Sequence, residues 1–493
     1  IRALRCDLDC DTEPARLRQL RERVGEGLAA GSTDLQGLDS LLLSAARTLY
    51  PQSSAAIARV TSQLEETQEK RCSLMWSHFR AMRNCDSARL SGLFSAWRAW
   101  AAYHAMHRAH KKACKQLRAD RLRGYLTEAR NAAQRGDLRG LFAVVRKLAP
   151  TQPRRRVQLH DEQGPVPPLR EAMMMAEYWR DVCTSDDPRD HALQLDSLAG
   201  AWKLNVEAFL AKVRAMNARK AVPAESPPIV VLQACATQIA PFLEATLSYA
   251  WTSGRAGVPQ LWKDGWVVMI PKPGRSGGGR APGDFRPISL QSPTGKAVLG
   301  SLMLDMRQWI EARLFHYPQF AFLRGRSTVR ALRKVAYHSD TVRRMCADAQ
   351  LSVHQRREGR TPPACIGGLQ VCLDLSRAFD LMPRHALREA LIRAEFPPPV
   401  IRLLLEWHQN STMHFGHGQT EQTVHTSRGV RQGCCAAPVL WSLFTTLICD
   451  AMDCRTEPGW ALRHLNLFAD DHHVAWVFRS YTQLTRCLAE LGM

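Results

Sequence analysis

The sequence has 493 residues, room for about three domains, and its 67 Lys and Arg against 46 Asp and Glu give a formal net charge of +21. A hydrophobic fraction of 45% supports packed cores and excludes wholesale disorder, while a basic surplus of this size fits a polyanionic partner. The longest uncharged apolar stretch, Ala436 to Cys449, is shorter than the ~20 residues needed to span a bilayer, and no N-terminal hydrophobic segment suggests secretion, so the expectation is a nuclear or cytoplasmic protein with no membrane partner.

No proline occurs between Pro51 and Pro150, and Ala, Leu, Arg, Gln and Glu dominate there, which predicts a mainly α-helical region over 1–150. Within it, Arg108 to Arg156 carries fifteen Lys or Arg against Asp120, Glu128 and Asp137, a local net of +12. Two readings stay open: a solvated helix face, or an arm that lies on nucleic-acid phosphates through Lys111, Lys112, Lys115, Arg118, Arg154, Arg155 and Arg156. Prolines return at 153, 165, 167 and 168 and again at Pro223, Pro227 and Pro228, so 151–228 reads as a linker with short helices.

From 229 the pattern becomes a helical run to Trp251, a Gly-rich loop at Lys272 to Arg286 and a polar insertion at His354 to Pro363. Beyond Gly367 it predicts a buried strand over Leu369 to Asp374, a helix over Arg384 to Glu395 and a hairpin over Met413 to Thr426. An apolar helix over Val439 to Met452 follows. Strands over Leu462 to Phe468 and Val474 to Phe478 are joined by the turn Asp470-Asp471-His472-His473, both histidines facing solvent. Such an order is an α+β arrangement with an antiparallel sheet. The fifteen cysteines include no Cys-x-x-Cys pair, which argues against a zinc site or a disulfide scaffold and for reduced thiols.

Two adjacent carboxylates at a tight turn, Asp470 and Asp471, repel one another unless a hard cation sits against them. Asp374 ends an apolar strand and can reach such a turn. Two Mg²⁺ ions held about 3.5–4 Å apart by these groups would clamp the attacking and leaving oxygens of a phosphoryl transfer. The plainer alternatives are an Asp-rich turn and a helix-capping Asp.

Three segments in this order resemble the reverse transcriptase family. Leu373-Asp-Leu-Ser-Arg-Ala-Phe-Asp380 is similar to its first palm motif, Gly429-Val-Arg-Gln-Gly433 with Pro438 to the second, and Phe468-Ala-Asp-Asp471 to the third. Upstream, Trp262 to Pro271, Lys272-Pro-Gly and Phe285-Arg-Pro-Ile-Ser-Leu290 resemble the fingers. Phe320 to Thr328 resembles a stretch of the non-LTR (LINE-type) retrotransposon enzymes, with Ala321 in place of a glycine, and Ala437 stands where the family usually has Ser. The resemblance implies right-hand polymerase fingers over 229–366 and a palm over 367–493, and it places the following palm motif, the primer grip and the thumb outside this segment, with any endonuclease upstream.

The resemblance also implies roles. Asp374, Asp470 and Asp471 would be catalytic. Asp374, Asp470 and the Leu375 carbonyl would hold two Mg²⁺ ions, or Mn²⁺ in their place. Lys272 and Arg286 would contact the triphosphate, and Gln432 and Gly433 would line the nucleotide pocket. Phe379 would lie beneath the sugar and exclude a ribose 2′-hydroxyl. The implied function is an RNA-directed DNA polymerase taking an RNA template, a DNA primer or target, and dNTPs. An RNA-templated RNA polymerase, a group II intron maturase and a non-catalytic nucleic-acid-binding remnant are the competing readings.

Overall fold

The computed structural model describes residues 2–10, 12–31, 34–51, 63–84, 90–148, 159–191, 202–253, 257–272, 279–416 and 418–492. They fall into two compact units, one of 1–52 with 157–493 and one of 53–156.

The smaller unit is helical, as its proline-free composition requires: Gln63–Asn84, Leu90–Gln134 and Leu138–Leu148. On the long helix position 99 is buried, and positions 92, 96, 103, 106, 110, 113 and 117 are partly covered. Their spacing of four and three residues makes one seam for packing against a neighbouring helix. Trp76 and Tyr103 meet across it with ring centroids 4.8 Å apart. Lys111, Lys112 and Lys115 are exposed on the same helix, where Arg118 also lies. Arg154, Arg155 and Arg156 lie outside the described residues.

The first fifty residues, read in the sequence as one region with this arm, pack instead in the larger unit. The cause is an apolar stripe: Leu17, Leu20 and Val24 of helix Ala15–Ala29 are buried in the same core as Leu243, Leu247 and Trp251. Asp39, 1% exposed, accepts hydrogen bonds from Ser292 Oγ at 2.9 Å and Thr294 Oγ1 at 2.8 Å, pinning helix Gly37–Leu49 to the start of helix Pro293–Asp305. Burial raises the Asp39 carboxyl pKa.

Two larger sheets position the site. Strands β1 (Gly265–Pro271) and β2 (Phe285–Leu290) form an antiparallel hairpin, and β3 (Gly367–Asp374) belongs to another sheet. Strands β4 (Ser411–Phe415) and β5 (Gln422–Thr426) form the expected hairpin. That hairpin joins the first sheet in the order β2-β1-β4-β5, through a parallel β1–β4 contact. The last pair, β6 (Leu465–Phe468) and β7 (Asp471–Phe478), completes a three-stranded antiparallel sheet, β3-β7-β6.

Alternation gives this second sheet one core face, where Leu369 and Val371 pack with Val474 and Trp476. Strand β3 is therefore covered on one side only, which leaves Cys372 and Asp374 exposed; Leu373, opposite His472 on the core face, is exposed too at the end of the strand, rather than buried as expected. The last strand begins at Asp471, not after a four-residue turn, which puts His472 on the core face at 7% exposure. His472 is thus a core residue, its pKa lowered because burial disfavours its charged form. The first three residues of the strand expected over Leu462 to Phe468 belong instead to a helical turn, Trp460–His464. Helix Ala437–Arg455 is long and apolar enough to cross a membrane, and it lies in the main core with Leu440, Trp441 and Leu443 each at 2% exposure or less.

Candidate active site

At the end of the three-stranded sheet, Asp374 is the register partner of Asp471. Directly opposed residues of an antiparallel ladder project from the same face, so these two carboxylates are neighbours. Between Phe468 and Asp471, themselves register partners, the chain turns in two residues, Ala469 and Asp470. Ala469 takes φ +57°, a left-handed value that usually needs glycine and costs about 1–3 kcal/mol.

This turn and the end of β3 open on a cleft of about 600 Å³. Its walls include Asp374, Leu375, Phe379 and Asp470, with Lys272 and Arg286 from the β1–β2 hairpin and Gln432 and Gly433 from the loop before helix Ala437–Arg455. These eight residues, far apart in sequence, thus meet in one place. Asp471 is not among the lining residues and stands beside Asp374 on the ladder.

The loop 429–433 is held by its backbone. Gly429, at φ +80°, lies so close to Asp380 that an added Cβ would come within 2.3 Å of the Asp380 carbonyl oxygen. Its N–H donates to the Met382 carbonyl at 2.8 Å, and the Val430 N–H donates to Phe379 O at 2.8 Å. The Ser289 N–H of β2 donates to Gln432 O at 2.8 Å, and Gly433 packs against Ser289 at φ +104°. Only glycine takes both the conformation and the close approach without strain. The buried Arg384 adds hydrogen bonds to Thr426 O at 2.8 Å and Gly429 O at 3.2 Å. Burial pushes its pKa down to about 9.

Four side chains at the site had no assigned role in the sequence. Asp380, 6% exposed, accepts a hydrogen bond from Gln432 Nε2 at 2.7 Å. Burial pushes its carboxyl up to about 7, against lowering by Gln432, Arg377 and Lys272. Arg377 lies over the Tyr178 ring, 4.9 Å from its centroid, and donates to the Tyr178 hydroxyl. Tyr178 thereby brings helix Pro168–Cys183 to the cleft wall. Trp441 stacks on Phe379 with centroids 5.4 Å apart, and its Nε1 donates to Ala469 O at 2.8 Å. The first palm motif contains Asp380 and Arg377, but no spacing signal reveals the Tyr178 and Trp441 contacts.

Among the described residues, no group of three His, Cys, Asp or Glu side chains converges as a ready-made metal cage. Asp374, Asp470 and the Leu375 carbonyl offer only hard oxygen donors, which suit Mg²⁺. That ion is characteristically held by one or two carboxylates together with substrate phosphates rather than by an all-protein cage.

Residues 270–492 match the family described as reverse transcriptase (RNA-dependent DNA polymerase). This segment is a reverse transcriptase domain. No curated protein matches the chain. Solved structures similar to it include apo telomerase from Candida tropicalis, at 13% identity and TM-score 0.32, over 50% of this chain and 45% of that one. Telomerase from Candida albicans in complex with a TWJ fragment of telomeric RNA is similar at 10% identity and TM-score 0.30, over 59% and 57%. The chain spans less than two-thirds of the length of either. Within the reverse transcriptase domain lie all the acidic and nucleotide-pocket residues described above.

Proposed function

We propose that the chain is the RNA-directed DNA polymerase module of a non-LTR retrotransposon, joining a dNTP to a primer 3′-hydroxyl on an RNA template. The observation that carries this reading is the meeting of Asp374 and Asp470 with Lys272, Arg286 and Phe379 around one cleft. The two carboxylates would hold divalent metal ions, which would neutralise phosphate charge and activate the attacking hydroxyl. Lys272 and Arg286 would bind the triphosphate and offset charge developing on the leaving group. Gln432, fixed by Asp380, would shape the base and sugar pocket, and the Phe379 ring would fill the space a 2′-hydroxyl needs. That ring disfavours the RNA-polymerase reading.

The exposed lysines of helix Leu90–Gln134 would hold template RNA through its phosphates. The test is extension of a DNA primer on an RNA template by the protein with dNTPs and Mg²⁺. Extension that stops on adding EDTA and resumes with Mg²⁺ is expected. RNA binding with no extension in any divalent ion would favour a non-catalytic remnant.

A further inference from the structure

Asp470 follows an alanine in a strained left-handed conformation, and something must hold that alanine there. Segment 318–320 runs beside β6: Leu467 N donates to Pro318 O at 2.9 Å, and Phe320 N donates to Leu467 O at 2.8 Å. Between them Gln319 is 0% exposed. Its Oε1 accepts from Ala469 N at 3.1 Å and from Ala321 N at 3.0 Å. Its Nε2 reaches Ala469 O at 3.5 Å and Thr445 Oγ1 at 3.4 Å. One buried carboxamide thus engages both polar groups of Ala469, and Trp441 Nε1 adds a second donor to the same carbonyl. Arg326 fixes the segment from behind, donating to Gln319 O at 2.6 Å, Tyr317 O at 2.5 Å and Phe315 O at 2.6 Å. Gln319 does not line the cleft.

We propose that Gln319 is a positioning residue whose carboxamide clamps Ala469 in its left-handed conformation and so aims the Asp470 carboxylate into the cleft. A merely space-filling glutamine would leave the Ala469 amide indifferent to its loss. A clamp would not, because the strained peptide persists only where its surroundings over-determine it. The inference rests on the polymerase reading for what Asp470 does, but not for the clamp.

The test compares the protein with its Gln319→Met variant, which keeps length and volume but removes the hydrogen bonds. Two quantities are read: amide hydrogen exchange over 466–472, and affinity for Mn²⁺ alone by electron paramagnetic resonance titration. Exchange about tenfold faster over 466–472, with β3 unchanged, and Mn²⁺ affinity about tenfold weaker are expected. Gln319→Glu, which keeps both acceptor contacts, should restore slow exchange in large part. Unchanged exchange, or faster exchange with unchanged Mn²⁺ affinity, would overturn the proposal. Should Gln319→Met not fold, Trp441→Phe, which removes the other bond to Ala469 O, carries the same expectations and the same contrary results. Absence of primer extension by the unaltered protein would instead count against the polymerase reading and leave these two measurements standing.

Discussion

Asp374 and Asp471 face each other as register partners across the end of an antiparallel sheet, with Asp470 next along the chain. Like charges directly opposed on a ladder destabilise it, so the fold carries an electrostatic cost where its chemistry is placed. Asp471→Asn should therefore raise the melting temperature in EDTA by about 1–2 °C. The gain should shrink on adding Mg²⁺, which relieves the same repulsion. Calorimetry with and without the ion checks this; an equal gain in both would separate Asp471 from the ion.

Phe379 is half-buried, stacked on Trp441 and open to the cleft on its other side. Phe379→Val should raise ribonucleotide relative to deoxynucleotide incorporation about tenfold or more, because removing a clash is enough to admit the 2′-hydroxyl. Its Mg²⁺ requirement should not move. Single-nucleotide extension with each sugar measures the ratio, and an unmoved ratio would make Phe379 a core residue only.

Asp380 titrates near 7 in the fold against an ordinary value of 3.8. Its folded pKa is raised, so its contribution to stability is fully present below about pH 4 and is lost as pH rises through about 7. Asp380→Asn keeps an acceptor for Gln432 and removes this titration. Relative to the unaltered protein, the variant should gain stability on going from pH 4 to pH 8, by on the order of a few kcal/mol. Urea unfolding across that range reads the difference, and a flat difference would contradict the assignment.

RNA affinity should fall with salt as expected for phosphate contacts. For about six neutralised phosphates the slope of log affinity against log salt is roughly −4 to −5. Replacing Lys111, Lys112 and Lys115 together with alanine should reduce that slope by about 2–3 and weaken different RNA sequences alike. A slope unchanged by the triple substitution would return this face to the solvent.

The motifs of the reverse transcriptase domain are legible in the sequence because their chemistry is local: an acidic residue ending a strand, glycines around Gln432, a doubled Asp at a turn. The strand of Asp471 starts earlier than its residues suggest, since a two-residue turn leaves His472 inside the ladder and no polar residue signals that by itself. The packing of residues 1–50 is hidden because Leu17, Leu20 and Val24 show an apolar stripe without naming the surface that covers it. Gln319 is invisible for a related reason. Two of its partners, Ala469 and Thr445, lie more than a hundred residues away, and only the fold brings its amide to them.

The most direct test replaces one acidic oxygen at the centre of the cleft. Asp470→Asn preserves the shape of the turn while removing the charge that would hold a cation. With RNA binding measured alongside primer extension, extension should fall at least about a thousandfold, a loss of roughly 4 kcal/mol in barrier lowering, with RNA affinity within about twofold of the unaltered protein. Extension that persists at a comparable rate would contradict the assignment of Asp470, and with it the catalytic reading of the cleft.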